Sequence, residues 1–432
     1  MKKIFMKRLI PLMCIFCLLF SIAGCGSKEE LPPIPSATPL YSAPTVEAVV
    51  SVQDENLGEN TSAFDTTEIA DQPSTETSSE PASDSSDDQT IAPSDTAIDT
   101  TPTVKVKGIY VTGPMAGSAK IDELIELVKT TELNTMVIDV KNDEDSLTYA
   151  MEVPESADID QSVRYISDLP GLLEKLHSND IYVIARVVCF KDPKLAEAKP
   201  ETALCSPEGK PVTDANGNAW VNPYKKEVWE YLCTVAECAI RDGFDEIQFD
   251  YVRFPIGTEA NMADYGVDTT TYTRETGLSD FFTYTSERLH KSGIIFGADL
   301  FGTIIGSEID RDRTGQNYLT IAEKTDAICP MIYPSHYAAG TFNLSVPDAH
   351  PYETISGALE LSHEELDGTD TKKGAVRPWL QCFNAVWVDG HITYGSKEIK
   401  EQIQAVYDAG YEEWILWNAS NRYDQVKDAL NH

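Results

Sequence analysis

Apolar runs of the β-strand type alternate with helix-type patterns along the chain from residue 104 onward. Between the runs, apolar residues recur at spacings of three and four, which is the period of an amphipathic helix. Glycine, common just after a helix C-terminus, follows several of these helical patterns. Eight strands alternating with helices predict a fold of the α/β class, a single (β/α)8 TIM barrel. The strand-like runs are 107–113, 135–141, 181–190, 245–254, 294–302, 327–334, 376–383 and 413–420.

Three long segments, 191–223, 255–277 and 334–375, each follow a predicted strand. We therefore expect them on the C-terminal rim of the barrel, where the active sites of this fold are built. A doubly wound open sheet is the alternative architecture. That fold normally carries a glycine-rich phosphate loop after its first strand, and GPMAGSAK at 113–120 lacks the G-x-G-x-x-G spacing.

The N-terminal quarter of the chain has a different pattern. A basic segment is followed by an apolar stretch of about 16 residues, which is short for a membrane-spanning helix, and then by Cys25. This predicts a lipoprotein signal peptide over 1–24, with lipid attached to Cys25; an uncleaved anchor is the alternative. Residues 25–103 are rich in Ser, Thr, Pro and acidic residues, a composition typical of a disordered linker. The expected product is a barrel domain at 104–432, lipid-anchored on the extracytoplasmic face of the cell membrane.

The formal net charge of −36 narrows the range of partners. Such a charge opposes binding to nucleic acid or to anionic polymers, whereas neutral or amino-sugar glycans are compatible with it. Six cysteines remain after Cys25, and we expect them to be buried thiols in a monomer, although their even number permits disulfides. Neither their spacing nor that of the histidines matches a metal site, so we expect no metal and no cofactor.

Polar and aromatic side chains gather where the predicted strands end. In a barrel strand, residues of one parity point inward, and Gln248 and Asp250 share that parity in the fourth strand. Rings among polar groups at strand ends suit stacking on sugars, so we expect these residues to contact substrate. The predicted substrate-binding set is Asp139, Lys141, Arg186, Gln248, Arg253, Tyr333, His336, Trp379, Gln381, Trp417 and Asn418.

Asp250 and Asp299 are the predicted catalytic residues. They end neighbouring strands, so their carboxyls should lie within roughly 5–9 Å of each other at a common opening, a range that covers both geometries of glycoside hydrolysis. One carboxyl must be protonated to donate to the leaving oxygen, and the other must be ionised. We expect Asp250 to be ionised and Asp299 to be the acid.

A purely structural interpretation of these residues stays open. An aspartate in a barrel strand is about as often a partner of an arginine or a backbone N–H as a catalytic group. Asp139 with Lys141 could form a simple ion pair, and Arg253 could pair with Asp250.

Several motifs carry a family resemblance, and they span about residues 105–425. The chain resembles a bacterial family of glycoside-hydrolase domains that has long been classed as a domain of unknown function. The resemblance implies a TIM barrel and hydrolysis of a sugar polymer, with no settled substrate. The motifs are MVIDVKNDEDSLTYAMEVP, VIARVVCFKDP, WVNPYKKEVWEY, GFDEIQFDYVRFP, GADLFG, PMIYPSHY and RPWLQCF.

The fourth strand is also similar to the chitinase pattern D-G-x-D-x-D-x-E. Asp245 and Asp250 match its first and third Asp, Gln248 replaces the middle Asp, and Val252 stands in place of the acid Glu. Valine has no proton to give, so the chain is not a chitinase of that type. The sequence thus favours a glycoside hydrolase with another acid. A non-catalytic glycan-binding lipoprotein is the main alternative, and a metal-dependent hydrolase and a transporter's solute-binding lipoprotein are weaker ones.

Overall fold

The computed structural model describes residues 102–142, 147–154, 164–214 and 216–430. The predicted signal peptide, Cys25 and nearly all of the predicted linker lie outside them, so these three predictions stay untested. Among the described helices, none combines the length and apolar character needed to cross a bilayer.

The described residues form nine parallel strands that close into one barrel. β1 pairs with β2 on one side and with β9 on the other, and β5 pairs with β6. β7 and β8 both pair with β6, so they share the seventh of eight barrel positions. The predicted TIM barrel is therefore confirmed. The strands are β1 Lys107–Val111, β2 Thr135–Lys141, β3 Tyr182–Val188, β4 Glu246–Asp250, β5 Phe296–Phe301, β6 Ala327–Ile332, β7 Ala375–Val376, β8 Trp379–Gln381 and β9 Trp414–Trp417.

The seventh barrel position is interrupted at Pro378, which lies between β7 and β8. Proline has no N–H to donate to a strand ladder, so a strand that contains it loses one bond there. The adjoining groups stay bonded, because the Arg377 N–H donates to the Ile328 carbonyl and the Pro378 carbonyl accepts from the Ile415 N–H. The interruption therefore leaves the barrel closed.

Helices on the outside of the barrel alternate with its strands, as the periodicity predicts. In the helix Leu169–His177, the Asp168 side chain accepts from the Gly171 N–H, and Pro170 lies in the first turn, where it costs no helical hydrogen bond. The longer described helices are Ile121–Lys129, Leu169–His177, Lys226–Arg241, Arg274–Lys291, Pro351–Leu366 and Ser396–Asp408; shorter ones are Gly113–Ala116, Pro193–Ala198, Thr258–Asn261, Glu308–Thr314, Tyr318–Ala322 and Asp424–Leu430.

The three long segments all begin at the C-terminal ends of strands. The first two are joined, because the Asp264 N–H donates to the Cys205 carbonyl. We expected the whole of the third segment to be a rim insertion, and this is wrong for part of it. Its Pro351–Leu366 part is a regular outer helix that packs against Ser396–Asp408.

Apolar side chains pack on both faces of the barrel sheet. The larger cluster packs the outer helices against the sheet. The smaller cluster fills the inside of the barrel, and it contains Tyr110, Tyr333 and Trp379, with Phe383 and Trp417 packed against it. Polar side chains of the same parity share this interior, so the candidate residues meet inside the barrel near its C-terminal end.

Candidate active site

Arg186 lies at the centre of the polar group near the C-terminal ends of the strands. One of its Nη atoms donates to Asp139 Oδ1 at 2.7 Å. Its Nε and its other Nη donate to Asp250 Oδ2 at 2.9 and 2.5 Å. The Tyr110 hydroxyl donates to Asp139 Oδ2 at 2.6 Å. The predicted residues Asp139, Arg186 and Asp250 therefore form one buried cluster of charge-assisted hydrogen bonds.

Both oxygens of Asp250 are engaged. Arg186 occupies Oδ2, and the backbone N–H of Tyr251 donates to Oδ1 at 2.6 Å. Tyr251 reaches this position with φ = 49°, in the left-handed region that side chains other than glycine seldom adopt. Such a conformation costs on the order of 1–3 kcal/mol and persists only where the surroundings hold it. Its ring lies against two cations, Lys191 Nζ at 4.8 Å and the Arg253 guanidinium at 5.4 Å.

Asp299 has a different environment on the neighbouring strand β5. The Gln248 amide and the Trp379 indole N–H both donate to its Oδ1 at 2.6 Å, while its Oδ2 is buried without a hydrogen-bond partner. Burial and the nearby charge of Asp250 raise the pKa of the Asp299 carboxyl well above its usual range. Asp299 is therefore the carboxyl of the pair whose protonated form is favoured, and it lies beside Asp250, which is bonded to an arginine.

We expected the two carboxyls to face a common opening, but in the structure both are buried. The exposed fraction of Asp250 is 6% and that of Asp299 is 1%. The opening is absent around Asp299 because the Trp379 side chain, from β8, bonds to it inside the barrel. Two cavities, of about 300 and 350 Å³, lie instead among residues at the N-terminal ends of the strands, including Glu413 and Tyr182.

Aromatic rings surround the acid group, as the sequence predicts. Tyr110 stacks on Trp417 at 4.0 Å between centroids, and Trp379 packs edge-on to Trp417 at 5.4 Å. The Arg186 guanidinium lies 5.4 Å from the Trp417 ring and 5.5 Å from the Tyr110 ring. Burial raises the pKa of the Tyr333 hydroxyl, and the nearby carboxyl groups of Asp299 and Asp250 raise it further, so this ring too lies beside the acids.

Other predicted residues have protein partners in this structure. Lys141 Nζ lies 3.0 Å from Asp192 Oδ2 and donates to the Val188 carbonyl at 2.9 Å. The Asn418 amide donates to the carbonyls of Cys382 and Arg422. For Lys141 and Asn418, contact with substrate stays a prediction.

Arg253 and Gln381 are also fixed by the protein. The Arg253 guanidinium lies 4.6 Å from the Phe301 ring and 4.8 Å from the Trp220 ring. Gln381 donates to Asp348 Oδ1 at 2.9 Å and accepts from the Ser335 N–H at 3.1 Å. Both side chains thus hold rim segments in place, and substrate contact is again untested for them.

Sequence reasoning missed three residues that border the site. Tyr110 has the inward parity of β1, a signal that could have identified it. Tyr251 matters through its backbone, and no side-chain pattern marks it. Asp192, which binds the predicted Lys141, follows its strand by four residues and shows no strand parity. In the described part of the chain, no group of three or more His, Cys, Asp or Glu side chains could hold a metal ion.

Comparisons with known proteins identify the family. Residues 108–423 match the model of the family described as "putative glycosyl hydrolase domain". The chain belongs to this family. No curated protein matches the sequence.

Two solved structures illustrate what the chain is similar to. The glycoside hydrolase domain of PgaB (BpsB) from Bordetella bronchiseptica is 10% identical, with a TM-score of 0.52 over 76% of this chain and 99% of that domain. A hypothetical protein from Ruminiclostridium thermocellum is 34% identical, with a TM-score of 0.41 over 44% of this chain and 96% of that one. At 10% identity, the likeness to the PgaB domain shows the fold alone.

Proposed function

We propose that this member of the family is a glycoside hydrolase that cleaves a wall or extracellular polysaccharide. One observation carries the proposal: two neighbouring carboxyls inside the barrel have unlike surroundings. Arg186 and the Tyr251 N–H bond to the two oxygens of Asp250, while burial and the nearby Asp250 raise the pKa of Asp299. Such a division between two carboxyl groups is what hydrolysis of a glycosidic bond requires.

In the proposed reaction Asp299 donates its proton to the leaving glycosidic oxygen. Asp250 then acts as the nucleophile or as the base that activates water, depending on the stereochemical course. Because both oxygens of Asp250 already accept hydrogen bonds, the carboxylate is oriented before substrate arrives. The rings of Tyr110, Trp379 and Trp417 would border the sugar bound at the acids.

Access is part of this proposal. Both carboxyls are covered in the free protein, and Trp379 binds Asp299 directly. Catalysis therefore requires the Trp379 indole to move off Asp299 when a glycan binds. A ligand that expels water and displaces a covering ring is a common way to complete an active site.

The test is turnover of a panel of neutral and amino-sugar wall and capsule glycans by the native protein and two variants. Asp250→Asn and Asp299→Asn keep the side-chain shape and remove the carboxyl, so each should lower kcat about 10²- to 10⁴-fold. Asp268→Asn, on the exposed part of a rim segment, is the matched control and should leave kcat unchanged. Equal turnover by native protein and Asp250→Asn would remove Asp250 from the chemistry.

A non-catalytic glycan-binding protein is the second candidate. It is favoured by the near-complete burial of Asp299 and by Val252, which stands where the chitinase pattern has its acid. In that case Asp139, Arg186 and Asp250 form a structural ion cluster. Saturable binding of a glycan by the native protein, with no product after long incubation, would decide for this candidate.

The cellular setting is proposed from the sequence. Cys25 after an apolar segment supports a lipid anchor on the extracytoplasmic face of the membrane. Cys25→Ala should therefore move the protein from the membrane fraction to the soluble fraction, and an unchanged distribution would contradict the anchor. A monomer with no nucleic-acid partner likewise stays a prediction, which the sedimentation velocity of the purified protein would test.

A further inference from the structure

A second group of rings lies on the rim above β6 and β8, beside the acids but separate from Trp417 and Tyr110. Phe383 and Trp387 are half-buried and stack at 6.0 Å with an angle of 21° between their planes. Tyr333 packs edge-on to Phe383 at 5.7 Å and to His336 at 5.1 Å. We call Tyr333, His336, Phe383 and Trp387 the rim cluster.

Two ring nitrogens of the rim cluster have no partner. His336 is 7% exposed, and its Nδ1 lies 2.9 Å from Ser335 Oγ, yet its Nε2 is buried without a hydrogen bond. The indole Nε1 of Trp387 is likewise buried without a hydrogen bond. A buried polar group without a partner is unfavourable, and a ligand that supplies the missing hydrogen bond removes this cost.

The segments that carry the rim cluster are held together beneath it. The Gln381 side chain accepts from the Ser335 N–H and donates to the Phe383 carbonyl at 3.1 Å and to Asp348 Oδ1 at 2.9 Å. Asp348 Oδ2 accepts from the Ile392 N–H at 3.0 Å. The base of the cluster is therefore fixed, while Val386, between the two stacked rings in sequence, is 71% exposed.

The chemistry of the two nitrogens limits the ligand. An indole N–H only donates, so the ligand must present an oxygen acceptor to Trp387. Burial lowers the pKa of His336 to about 3, so its imidazole is neutral and offers one N–H or one lone pair. Hydroxyl groups satisfy both requirements, and the faces of the rings suit the C–H face of a pyranose.

We propose that the rim cluster is a binding subsite for a neutral pyranose unit next to the one held at the acids, with Phe383 and Trp387 as its platform and His336 Nε2 and Trp387 Nε1 as its hydrogen-bonding groups. The kind of ligand rests on the proposed function. Both nitrogens are covered in the free protein, so entry of the sugar requires the segment around Val386 to move outward.

The experiment measures binding rather than turnover. Calorimetric titration and tryptophan fluorescence of the purified native protein use three probes: cellotetraose, chitotetraose and the fully de-N-acetylated glucosamine tetramer. We expect saturable binding of at least one neutral tetramer, with a change in tryptophan emission, and binding of the cationic tetramer alone would overturn the neutral pyranose as ligand.

Variants then locate the binding. Trp387→Ala removes platform and donor and should weaken binding about tenfold or more, which corresponds to about 1.4 kcal/mol. Trp387→Phe keeps a ring and removes one nitrogen, and His336→Phe keeps a ring and removes both nitrogens, including the Nδ1 that contacts Ser335. Each variant should weaken binding several-fold. Val386→Ala, on the same segment, is the control and should bind like the native protein.

The outcomes separate this inference from the proposed function. Neutral tetramers that do not bind, or that bind the native protein and Trp387→Ala equally, overturn the subsite whatever the turnover shows. Binding that Trp387→Ala weakens, without hydrolysis of any glycan, supports the subsite and counts against the hydrolase.

Discussion

Two buried arginines lie at opposite ends of the same barrel, and each binds two carboxylates. Near the C-terminal ends of the strands, Arg186 binds Asp139 and Asp250. Near the N-terminal ends, Arg377 binds Glu246 at 2.6 Å and Glu413 at 3.0 Å. Each group also includes a tyrosine hydroxyl that donates to one of the carboxylates. Each cluster thus consists of one arginine, two acidic side chains and one tyrosine hydroxyl, and the two clusters differ in the residues that surround them.

The N-terminal cluster is completed by structural partners. The Tyr182 hydroxyl donates to Glu246, and the Val106 N–H donates to Glu413. The described contacts place no additional carboxylic acid in direct contact with this arginine. Buried features at this end of a TIM barrel usually serve stability, and burial raises the pKa of Glu246 within this cluster.

The C-terminal cluster has three additions: the buried carboxyl of Asp299, a strained backbone at Tyr251, and the rings of Trp379 and Trp417. Strained backbone concentrates at functional sites, whereas a raised carboxyl pKa is found at both ends of the barrel. The comparison teaches that an arginine between two carboxylates is not itself a mark of chemistry. The neighbours distinguish a site from a structural ion cluster.

Replacing each of the two arginines in turn should produce the largest difference between the two ends of the barrel. Arg377→Met leaves Glu246 and Glu413 buried without their cation, so the free energy of unfolding should fall by about 3–5 kcal/mol. Glycan binding and turnover per folded molecule should stay unchanged. Arg186→Met should cost a similar amount and should also abolish turnover. Urea unfolding followed by circular dichroism gives the stability term.

Lys105→Met is the control for these variants. Lys105 also lies near Glu413, at 3.8 Å, but its side chain is 66% exposed, so its loss should cost about 0–1 kcal/mol. An Arg377→Met protein as stable as the Lys105 variant would show that the N-terminal cluster is not a structural element. A turnover defect in Arg377→Met at full folding would contradict the division between the two ends.

The sequence predicts the fold well because the signals are local. Periods of two and of three to four residues, and the glycines that follow several helical patterns, are each decided by short-range geometry, and the structure has strands and helices with these periods. Strand parity also predicted that Gln248 and Asp250 share the inward side of the fourth strand, and both bond to other candidate residues inside the barrel. These predictions need no knowledge of how far side chains reach.

The arrangement around the acids could not be predicted in the same way. Trp379 reaches Asp299 from β8, 80 residues further along the chain, and its length and direction close the opening that parity suggested. The partner of Asp250 is Arg186 from the neighbouring strand β3. The rings of Trp220, Tyr251 and Phe301, which lie around the Arg253 guanidinium, come from three separate segments. Such contacts follow from tertiary packing, which a periodicity does not encode.

The pH dependence of the free energy of unfolding of Asp299→Asn tests whether the pKa of Asp299 is raised in the folded protein. The folded-state pKa of Asp299 lies above its ordinary value of 3.8, so between these two pKa values the folded chain binds more protons than the unfolded chain. The contribution of Asp299 to stability is therefore lost as pH rises. An asparagine does not titrate, so Asp299→Asn should gain stability relative to the native protein from pH 5 to pH 8, by at most about 1.4 kcal/mol per pH unit.

Urea unfolding of both proteins at each half unit of pH measures this gain. Asp268→Asn, an exposed aspartate, should run parallel to the native protein over the same range. A difference between Asp299→Asn and the native protein that stays constant from pH 5 to pH 8 would mean that Asp299 ionises in the folded state as it does in the unfolded chain. The acid role would then be lost, while Asp250 could still be the ionised partner.

The two tyrosines give the smallest and best matched contrast. Tyr110→Phe removes a hydroxyl that donates to Asp139 at 2.6 Å, and Tyr182→Phe removes one that donates to Glu246 at 3.2 Å. Hydrogen bonds to charged groups are worth about 1.5–3 kcal/mol, so each change should lower the free energy of unfolding by about 1–3 kcal/mol, with the shorter bond costing more. The kinetics should separate them, because only Tyr110 touches the cluster that holds Asp250. Turnover at saturating glycan should fall for Tyr110→Phe and stay native for Tyr182→Phe, and equal kinetics would mean that the Arg186 cluster is as purely structural as the one around Arg377.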